Sequence, residues 1–451
     1  MRKLLVMAMV LALVSPAMAA DNLTISGTYE LFGIGADNLE EQQNHDGVDL
    51  EDNDKVHFFY QRFRVQPQFK AADGITATLR FDYAEGIWGQ DQNFSGATGH
   101  GGETQEIQVD RAYVSVNKGI VMVNAGLQFV PLGQTQVYRD NQPALHFILK
   151  TKPVGVRFGW VKVSESYGVS YGGPASTAPL SDEDDLYKDT DRYFINVGYK
   201  SKSFSIDAFY ATQVDGSKGD TDSPPDGIDD DFEDQPNVMG VNAKAQIGPV
   251  ALYGEAATFG GDNGNGVDYV GTQVNVNGRM KMSDALTLAV DLFYSTGQSD
   301  SDEAKITYIG DPFARFDLKK GSAMGWDDMV YGRNPGELFT TFPPGGILPG
   351  DVFDPFLTGA GSMGGGIGIK FNPIQPLTLI GHMHYMVGDS DDTGRADAEF
   401  DKGYSGLVCA VYQLAPKTTL HATYHIVEAD FLDDVEVNTG QMYTLWMRVA
   451  F

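Results

Sequence analysis

The last eleven residues, 441–451, constrain the fold most, because they form a single β-strand pattern with two different faces. One face is apolar at every second position and consists of Tyr443, Leu445, Met447, Val449 and Phe451. The other face consists of Thr444, Trp446, Arg448 and Ala450. A strand that ends in water on an exposed Phe would invite aggregation. A strand with lipid on one face and a watery lumen on the other avoids this problem, so the pattern favours a membrane-crossing strand.

The first residues predict export from the cytoplasm. Arg2 and Lys3 supply the charged region of a secretory signal, an apolar stretch spans 4–14, and Ala17-Met18-Ala19 forms a cleavage site. We therefore predict a signal peptide over 1–19. An N-terminal membrane anchor would need about 20 apolar residues, which this stretch lacks. Because no linker or change of composition divides the remaining chain, 20–451 is predicted to be one domain.

The same period-two pattern recurs along the whole chain and predicts an all-β fold. Short, turn-like connections alternate with long ones. This arrangement is typical of a transmembrane antiparallel β-barrel with short periplasmic turns and long extracellular loops. We predict about 18 strands; 16 would also fit, because 106–117 and 144–151 show the pattern weakly. The predicted strands are 22–34, 55–70, 75–86, 106–117, 120–129, 144–151, 154–164, 191–200, 204–214, 237–247, 250–260, 270–282, 286–297, 363–371, 377–388, 404–414, 418–428 and 439–451.

Negative charge is concentrated in one class of connection. Five long connections hold 34 acidic residues and three basic ones, while the rest of the chain after the signal is balanced. They are 37–54, 181–191, 215–236, 389–401 and 428–436. Scattered acidity would indicate only a self-repelling surface. Acidity confined to the long loops predicts an acidic extracellular face.

The predicted strands also carry charge on one face only. The apolar face, with residues such as Ile75, Leu288 and Leu420, is assigned to lipid. The opposite face carries acidic residues, namely Glu30, Asp82, Asp207, Glu255 and Asp291, and twice as many basic ones. Because burying unpaired charges in a packed core costs several kcal/mol each, this face is predicted to line a water-filled, mildly cationic lumen. The predicted pore-lining residues are Arg62, Arg64, Arg80, Arg157, Arg192, Lys244, Arg279, Lys281, Lys370 and Arg448.

At this point the chain resembles the Gram-negative porins in the alternating terminal strand that ends in Phe451, the tight turns and the long outer loops. The resemblance implies that Tyr443, Val449 and Phe451 are an assembly signal for the barrel assembly machinery. It also implies residence in the outer membrane, contact with its lipids and lipopolysaccharide, and a homo-oligomer, most simply a trimer. No nucleic-acid partner is expected. In general porins a loop near the third outer position narrows the pore, whereas the corresponding connection here, 130–143, is short.

Two groups of residues have the composition of metal sites. Asp220, Asp222, Asp226, Asp229 and Asp231 form an oxygen-rich stretch that would suit Ca²⁺, although EF-hand spacing is absent and a solvated acidic loop is the alternative. Four histidines fall on the lumen face, namely His382, His384, His421 and His425. Strand spacing places them too far apart for one zinc shell, so they are interpreted as pore-lining side chains. No other cofactor is expected.

The longest connection, 298–362, is unusually apolar for an outer loop. It includes Phe339, Phe342, Ile347, Leu348, Val352, Phe353, Phe356 and Leu357. Loops of this length are usually functional or disordered. Three interpretations stay open: a segment folded into the pore as a constriction or plug, packing over the barrel rim or against another subunit, and disorder.

These features predict a porin that allows passive diffusion of small hydrophilic solutes and ions, and no enzymatic activity. The sequence lacks G-x-S-x-G, HExxH and P-loop patterns. A structural or partner-binding barrel, such as a sheath around a redox protein or an adhesin, is the main alternative. A hydrolase embedded in the barrel is a minor one, since a site assembled across strands leaves no linear motif.

Overall fold

The computed structural model describes residues 22–37, 55–87, 108–132, 138–164, 190–215, 235–261, 270–295, 362–388, 400–431 and 440–451. Nearly all of these residues belong to eighteen strands. The strands are β1 (Leu23–Asp37), β2 (Lys55–Ala72), β3 (Ile75–Ile87), β4 (Gln108–Lys118), β5 (Val121–Leu132), β6 (Tyr138–Lys150), β7 (Val154–Ser164), β8 (Thr190–Lys200), β9 (Phe204–Asp215), β10 (Asn237–Ile247), β11 (Val250–Gly260), β12 (Gly271–Lys281), β13 (Leu286–Ser295), β14 (Ser362–Ile374), β15 (Leu377–Gly388), β16 (Phe400–Ala415), β17 (Thr418–Phe431) and β18 (Gly440–Ala450).

Each strand pairs antiparallel with its neighbours in sequence, and β1 also pairs antiparallel with β18. This last pairing runs from Thr28↔Ala450 to Asp37↔Gln441 and closes the sheet into a barrel. The prediction of an all-β, antiparallel barrel is confirmed, with 18 strands rather than 16. The weakly patterned segments at 106–117 and 144–151 are strands β4 and β6.

Strand β6 differs most from its prediction, because it begins at Tyr138 rather than at residue 144. Strand β5 also extends further than predicted, to Leu132. The predicted connection over 130–143 was therefore wrong in extent, and 133–137 separates the two strands. Polar residues at the start of β6 hide its alternation from the sequence pattern.

Short turns join the strands at the periplasmic rim. Several depend on a left-handed backbone, which glycine adopts without strain; Gly74, Gly119 and Gly248 have φ of 74°, 60° and 58°. The long extracellular connections join strands at the other rim. Among the described residues, no helix is long and apolar enough to cross a membrane.

Several predicted features lie outside the described residues. These are the signal peptide over 1–19, the Ca²⁺ candidates Asp220, Asp222, Asp226, Asp229 and Asp231, and almost all of the apolar connection 298–362. The same holds for most of the acidic residues in the long loops.

Candidate channel lining

The barrel wall has two chemically different faces, and strand register determines which side chain lies on which face. The outward face is apolar and accessible; for example, Ile367, Val408 and Leu292 are 66%, 64% and 58% exposed. The inward face carries most of the buried polar and charged side chains. In the closed barrel this face surrounds the lumen, so its polar groups do not meet lipid.

All ten predicted pore-lining bases fall on the inward register. Arg62 pairs with Glu30, Arg64 with Asp82, and Lys244 with Tyr253, and the remaining seven alternate in phase with such inward positions along their strands. The predicted acidic residues Glu30, Asp82, Asp207 and Glu255 lie on the same register. The side chain of Asp291 is outside the described set. The described charged side chains of the prediction therefore share one face of the barrel wall.

Strands β18 and β1 to β4 bring charged side chains together in two adjacent ion-paired groups, which together we call the charged wall. Its members are Arg448, Glu30, Arg62, Arg64, Asp82, Arg80 and Asp110. Glu30 is hydrogen-bonded to Arg62 and lies 3.5 Å from Nε of Arg448. The guanidinium of Arg64 makes a two-point contact with Asp82, of which Nε to Oδ1 is 2.6 Å. Because these ion pairs neutralise much of the charge at close range, the charged side chains can be largely buried from water.

Asp110 is the member of the charged wall that the sequence analysis missed. It is ion-paired with Arg80 and lies 3.3 Å from Nη2 of Arg64. A register shift between Arg80 and Phe81 marks a β-bulge in β4, and the bulge places Asp110 out of the alternating pattern. In the sequence, only the two successive charged residues Asp110 and Arg111 indicate that the alternation of β4 is broken here. Asp110 adds one negative charge beside Arg64 and Arg80, and the adjacent Arg111 offsets it in the net charge of this region.

The other predicted bases have neutral partners or lie near the periplasmic rim. Arg157 Nε donates to Asn196 Oδ1 at 3.1 Å, and Arg192 Nη2 donates to Gln213 Oε1 at 2.9 Å. Lys244 lies over the ring of Tyr253, and Lys281 binds Asp284 in the following turn at 2.7 Å. Arg279 and Lys370 face the lumen on β12 and β14, with β13 between them. These bases are therefore spread around the lining rather than gathered in one cluster.

The inward face also includes an apolar region that the sequence analysis did not predict. It lies on the extracellular half of β5 to β11 and packs as one buried cluster of Val130, Leu132, Ala144, Val161, Phe194, Phe209, Ala211, Val238, Ala257 and Phe259. In this half of the barrel both faces of several strands are apolar, so alternation alone does not separate them. The lining is therefore polar near mid-depth and apolar toward the outer rim on this side.

The predicted assembly residues lie at the seam where β18 meets β1. Phe451 exchanges backbone hydrogen bonds of 3.2 and 3.1 Å with Gly27, and its ring stacks on Phe63 at a centroid distance of 5.8 Å. A Cβ at Gly27 would come within 2.4 Å of that ring, so only glycine leaves room for it. Tyr443 covers Gly35 in the same way. Val449 pairs with Tyr29 across the seam.

The histidines do not form a metal site in the described part of the chain. His421 stacks on Trp446 at 4.0 Å, and Trp446 stacks on Phe32 at 5.0 Å. The side chains of His384 and His425 are outside the description. Across the described residues, no group of three His, Cys, Asp or Glu side chains is arranged to hold a metal ion.

Asp82→Asn should destabilise the barrel, because it removes the two-point partner of the Arg64 guanidinium. Breaking a buried ion pair by removing one member costs about 3 kcal/mol or more, and Asp110 would offset part of that loss. We expect the temperature at which the folded protein loses its compact gel mobility to fall. The double variant Asp82→Asn/Arg64→Gln should recover part of the loss. If the single variant loses its compact mobility at the same temperature as the wild-type protein, the ion pair between Arg64 and Asp82 does not stabilise the barrel.

A closed 18-strand barrel with an apolar outside and a charged inside defines the protein as a transmembrane β-barrel channel. A family model for Gram-negative porins matches residues 6–311, which is more than half of the sequence. The chain therefore belongs to the Gram-negative porin family, and it is an outer-membrane channel. No curated protein matches the sequence.

Solved structures with the same fold include three channels of Pseudomonas aeruginosa. OpdK, solved with vanillate, has a TM-score of 0.56 at 8% identity, covering 96% of this chain and 99% of its own. OccK3 (OpdO) has a TM-score of 0.54 at 8% identity and 96% coverage of both chains. OccK8 (OprE) has a TM-score of 0.53 at 11% identity, covering 96% and 98%. At these identities the similarity concerns the fold.

Proposed function

We propose that this outer-membrane channel is water-filled and allows passive diffusion of small hydrophilic solutes and ions, with a weak preference for anions. The observation that carries the proposal is the inward face of the barrel, where the described arginines and lysines outnumber the described carboxylates. Fixed positive charges along a narrow path favour anions. The acidic extracellular loops oppose this preference at the mouth, but they are screened beyond about 8 Å at physiological ionic strength.

Further parts of the proposal rest on the family resemblance and on sequence. We propose cleavage after Ala19, assembly as a homo-trimer, and recognition of the strand containing Tyr443, Val449 and Phe451 by the barrel assembly machinery. Outer-membrane lipid and lipopolysaccharide would surround the apolar outward face. A Ca²⁺ ion at Asp220 to Asp231 stays a minor part of the proposal. No enzymatic activity is expected.

Liposome swelling tests whether the channel is open. Purified, folded protein in liposomes should let arabinose enter, so the liposomes swell at a rate proportional to protein content. Heat-denatured protein from the same preparation is the control, and no swelling is expected from it. Swelling of the folded sample no faster than that of this control would contradict an open channel.

A partner-binding barrel without a steady pore is the second candidate. The buried apolar cluster on the inside of β5 to β11 favours it, because a water-filled lumen gains nothing from apolar lining. Such a barrel would fail the swelling test while remaining fully folded. The cluster occupies one side of one half of the barrel, whereas charged and hydrogen-bonding groups line mid-depth, so we place the channel first.

A further inference from the structure

A group of neutral polar side chains lies on the inward face of β10 to β12. Asn242, Glu255 and Asn275 form one row across the three strands, because Asn242 pairs with Glu255 and Glu255 pairs with Asn275. Gln273 and Asn277 lie two residues to either side of Asn275 and share its face. We call Asn242, Gln273, Asn275 and Asn277 the carboxamide wall. Neighbouring strands are about 4.8 Å apart and same-face neighbours about 6.7 Å apart, so one small solute can span the group.

The carboxamide wall lies at mid-depth and opposite the charged wall. Asn242, Asn275 and Asn277 are near the middle of β10 and β12, as Glu30 and Asp82 are near the middle of β1 and β3. Strand β11 is nine strands from β2 in the closed ring of eighteen, which is half the circumference. A solute at this depth therefore passes between a charged side and a neutral hydrogen-bonding side.

The amides of this wall are buried, and six of their eight side-chain nitrogen and oxygen atoms lack a hydrogen-bond partner. Gln273 and Asn275 are 1% exposed, Asn242 is 2% and Asn277 is 4%. Within the described part of the chain, no hydrogen bond reaches Asn242 Oδ1, Asn277 Nδ2, or either amide atom of Gln273 and Asn275. Buried amides normally find partners, so six such atoms in one place are exceptional.

The need for donors and acceptors together defines the ligand chemistry. A metal cation would satisfy the amide oxygens only, and Lys244 and Arg279 on the same strands would repel it. An anion would satisfy the amide N–H groups only, and it would face Glu255. An apolar solute would satisfy neither. A hydroxyl group donates one hydrogen bond and accepts others, so a neutral solute with several hydroxyl groups satisfies both halves of each amide.

We propose that the carboxamide wall is a binding subsite for neutral, hydroxyl-rich solutes, that is, sugars or polyols, inside the channel. The subsite rests on the proposed function, because it needs solute to reach mid-depth. A solute that reaches the wall supplies the hydrogen bonds that these amide atoms lack, and those bonds provide the free energy of binding. The subsite adds selectivity among uncharged solutes, which the charged wall does not distinguish.

Planar bilayer recordings of the full-length protein test the subsite with sucrose as the probe. Sucrose added at rising concentration should reduce the ion current in two parts, one proportional to the change in bulk conductivity and one that saturates. Polyethylene glycol of matched size is the comparison solute, because its ether oxygens accept but do not donate. It should give the proportional part only. Identical titrations with the two solutes would overturn the proposal.

Asn275→Leu keeps the shape of the side chain but removes both amide atoms. We expect the apparent affinity of the saturable sucrose effect to fall by at least about tenfold, because several hydrogen bonds are lost together. Gln128→Leu is the matched control: Gln128 is equally buried on the inside of β5, but its Nε2 donates to Ala144 O at 2.9 Å, and it lies away from the wall.

Saturation that persists unchanged in Asn275→Leu, or that is lost equally in Gln128→Leu, would contradict the assignment. If Asn275→Leu does not fold, the wild-type comparison of sucrose with polyethylene glycol still decides. The same recordings report ion selectivity. An open, anion-preferring channel without saturable sucrose response would reject the subsite alone, whereas absence of channels would reject the proposed function.

Discussion

Deleting Phe451 is expected to lower the amount of folded barrel in the outer membrane by at least about tenfold, which corresponds to ~1.4 kcal/mol. The deletion removes the two backbone hydrogen bonds to Gly27 and the ring stack with Phe63. An aromatic pair contributes about 0.5–1.5 kcal/mol beyond its buried area, and an unpaired backbone group at a membrane-embedded edge costs several kcal/mol. The seam between β18 and β1 closes the barrel, so its loss affects the whole sheet rather than one strand.

Phe371→Ala is the matched control for this deletion. Phe371 faces outward on β14 and is 41% exposed, compared with 43% for Phe451, but it is far from the seam. The yield of heat-modifiable barrel in outer-membrane fractions measures both variants. Phe371→Ala should keep nearly normal yield. Equal yields of the Phe451 deletion and of wild-type protein would show that the terminal ring and its hydrogen bonds do not support closure or assembly.

Neutralising Lys244 and Lys370 together is expected to shift the permeability ratio toward cations by about two- to fivefold. The estimate follows from Coulomb energies of ~0.5 kcal/mol for each charge at about 8 Å in water, reduced roughly threefold by salt screening over that distance. Both lysines face the lumen, and neither forms an ion pair with a described residue. Lys→Gln substitutions remove the charge but keep much of the side chain.

The paired arginines supply the control for the lysine variant. Glu30→Gln/Arg62→Gln removes one charge of each sign from the charged wall, so the lumen keeps its net charge. This double variant should leave the reversal potential nearly unchanged. Arg62, Arg64 and Lys281 were among the ten bases that the sequence assigned to the lumen. In the structure, carboxylates bind Arg62, Arg64 and Lys281. We therefore expect Lys244 and Lys370 to contribute more to ion selectivity. A larger shift in the control than in the lysine variant would contradict this interpretation.

The faces of the barrel could be predicted from sequence because strand geometry has a strict period of two. The pairing register between strands that are far apart in the sequence could not be predicted. The fit of Phe451 over Gly27 and of Tyr443 over Gly35 depends on pairing between the two ends of the chain. No local pattern encodes that pairing. The glycines themselves were visible, but nothing in the sequence showed that rings from β18 would cover them.

Two kinds of segment limited the prediction of the channel lining: strands with a β-bulge and strands that are apolar on both faces. The bulge in β4 shifted Asp110 out of phase, so its contribution to the charged wall was missed. On β8, the register of Arg192 already places Phe194 on the lumen face, but its packing in a buried apolar cluster depends on neighbouring strands and was missed. The carboxamide wall was missed for another reason. Neutral amides carry no charge pattern, and their importance comes from burial without partners.

The reversal potential of the wild-type channel in a KCl gradient tests the central claim most directly. Single channels in planar bilayers should show a steady open conductance and a weak preference for Cl⁻ at about 0.15 M salt and above, where the acidic mouth is screened. At lower salt the preference should decline as the outer loops attract K⁺ more strongly. A clear preference for K⁺ at about 0.15 M or above, or a folded protein that forms no conducting channel, would contradict the account.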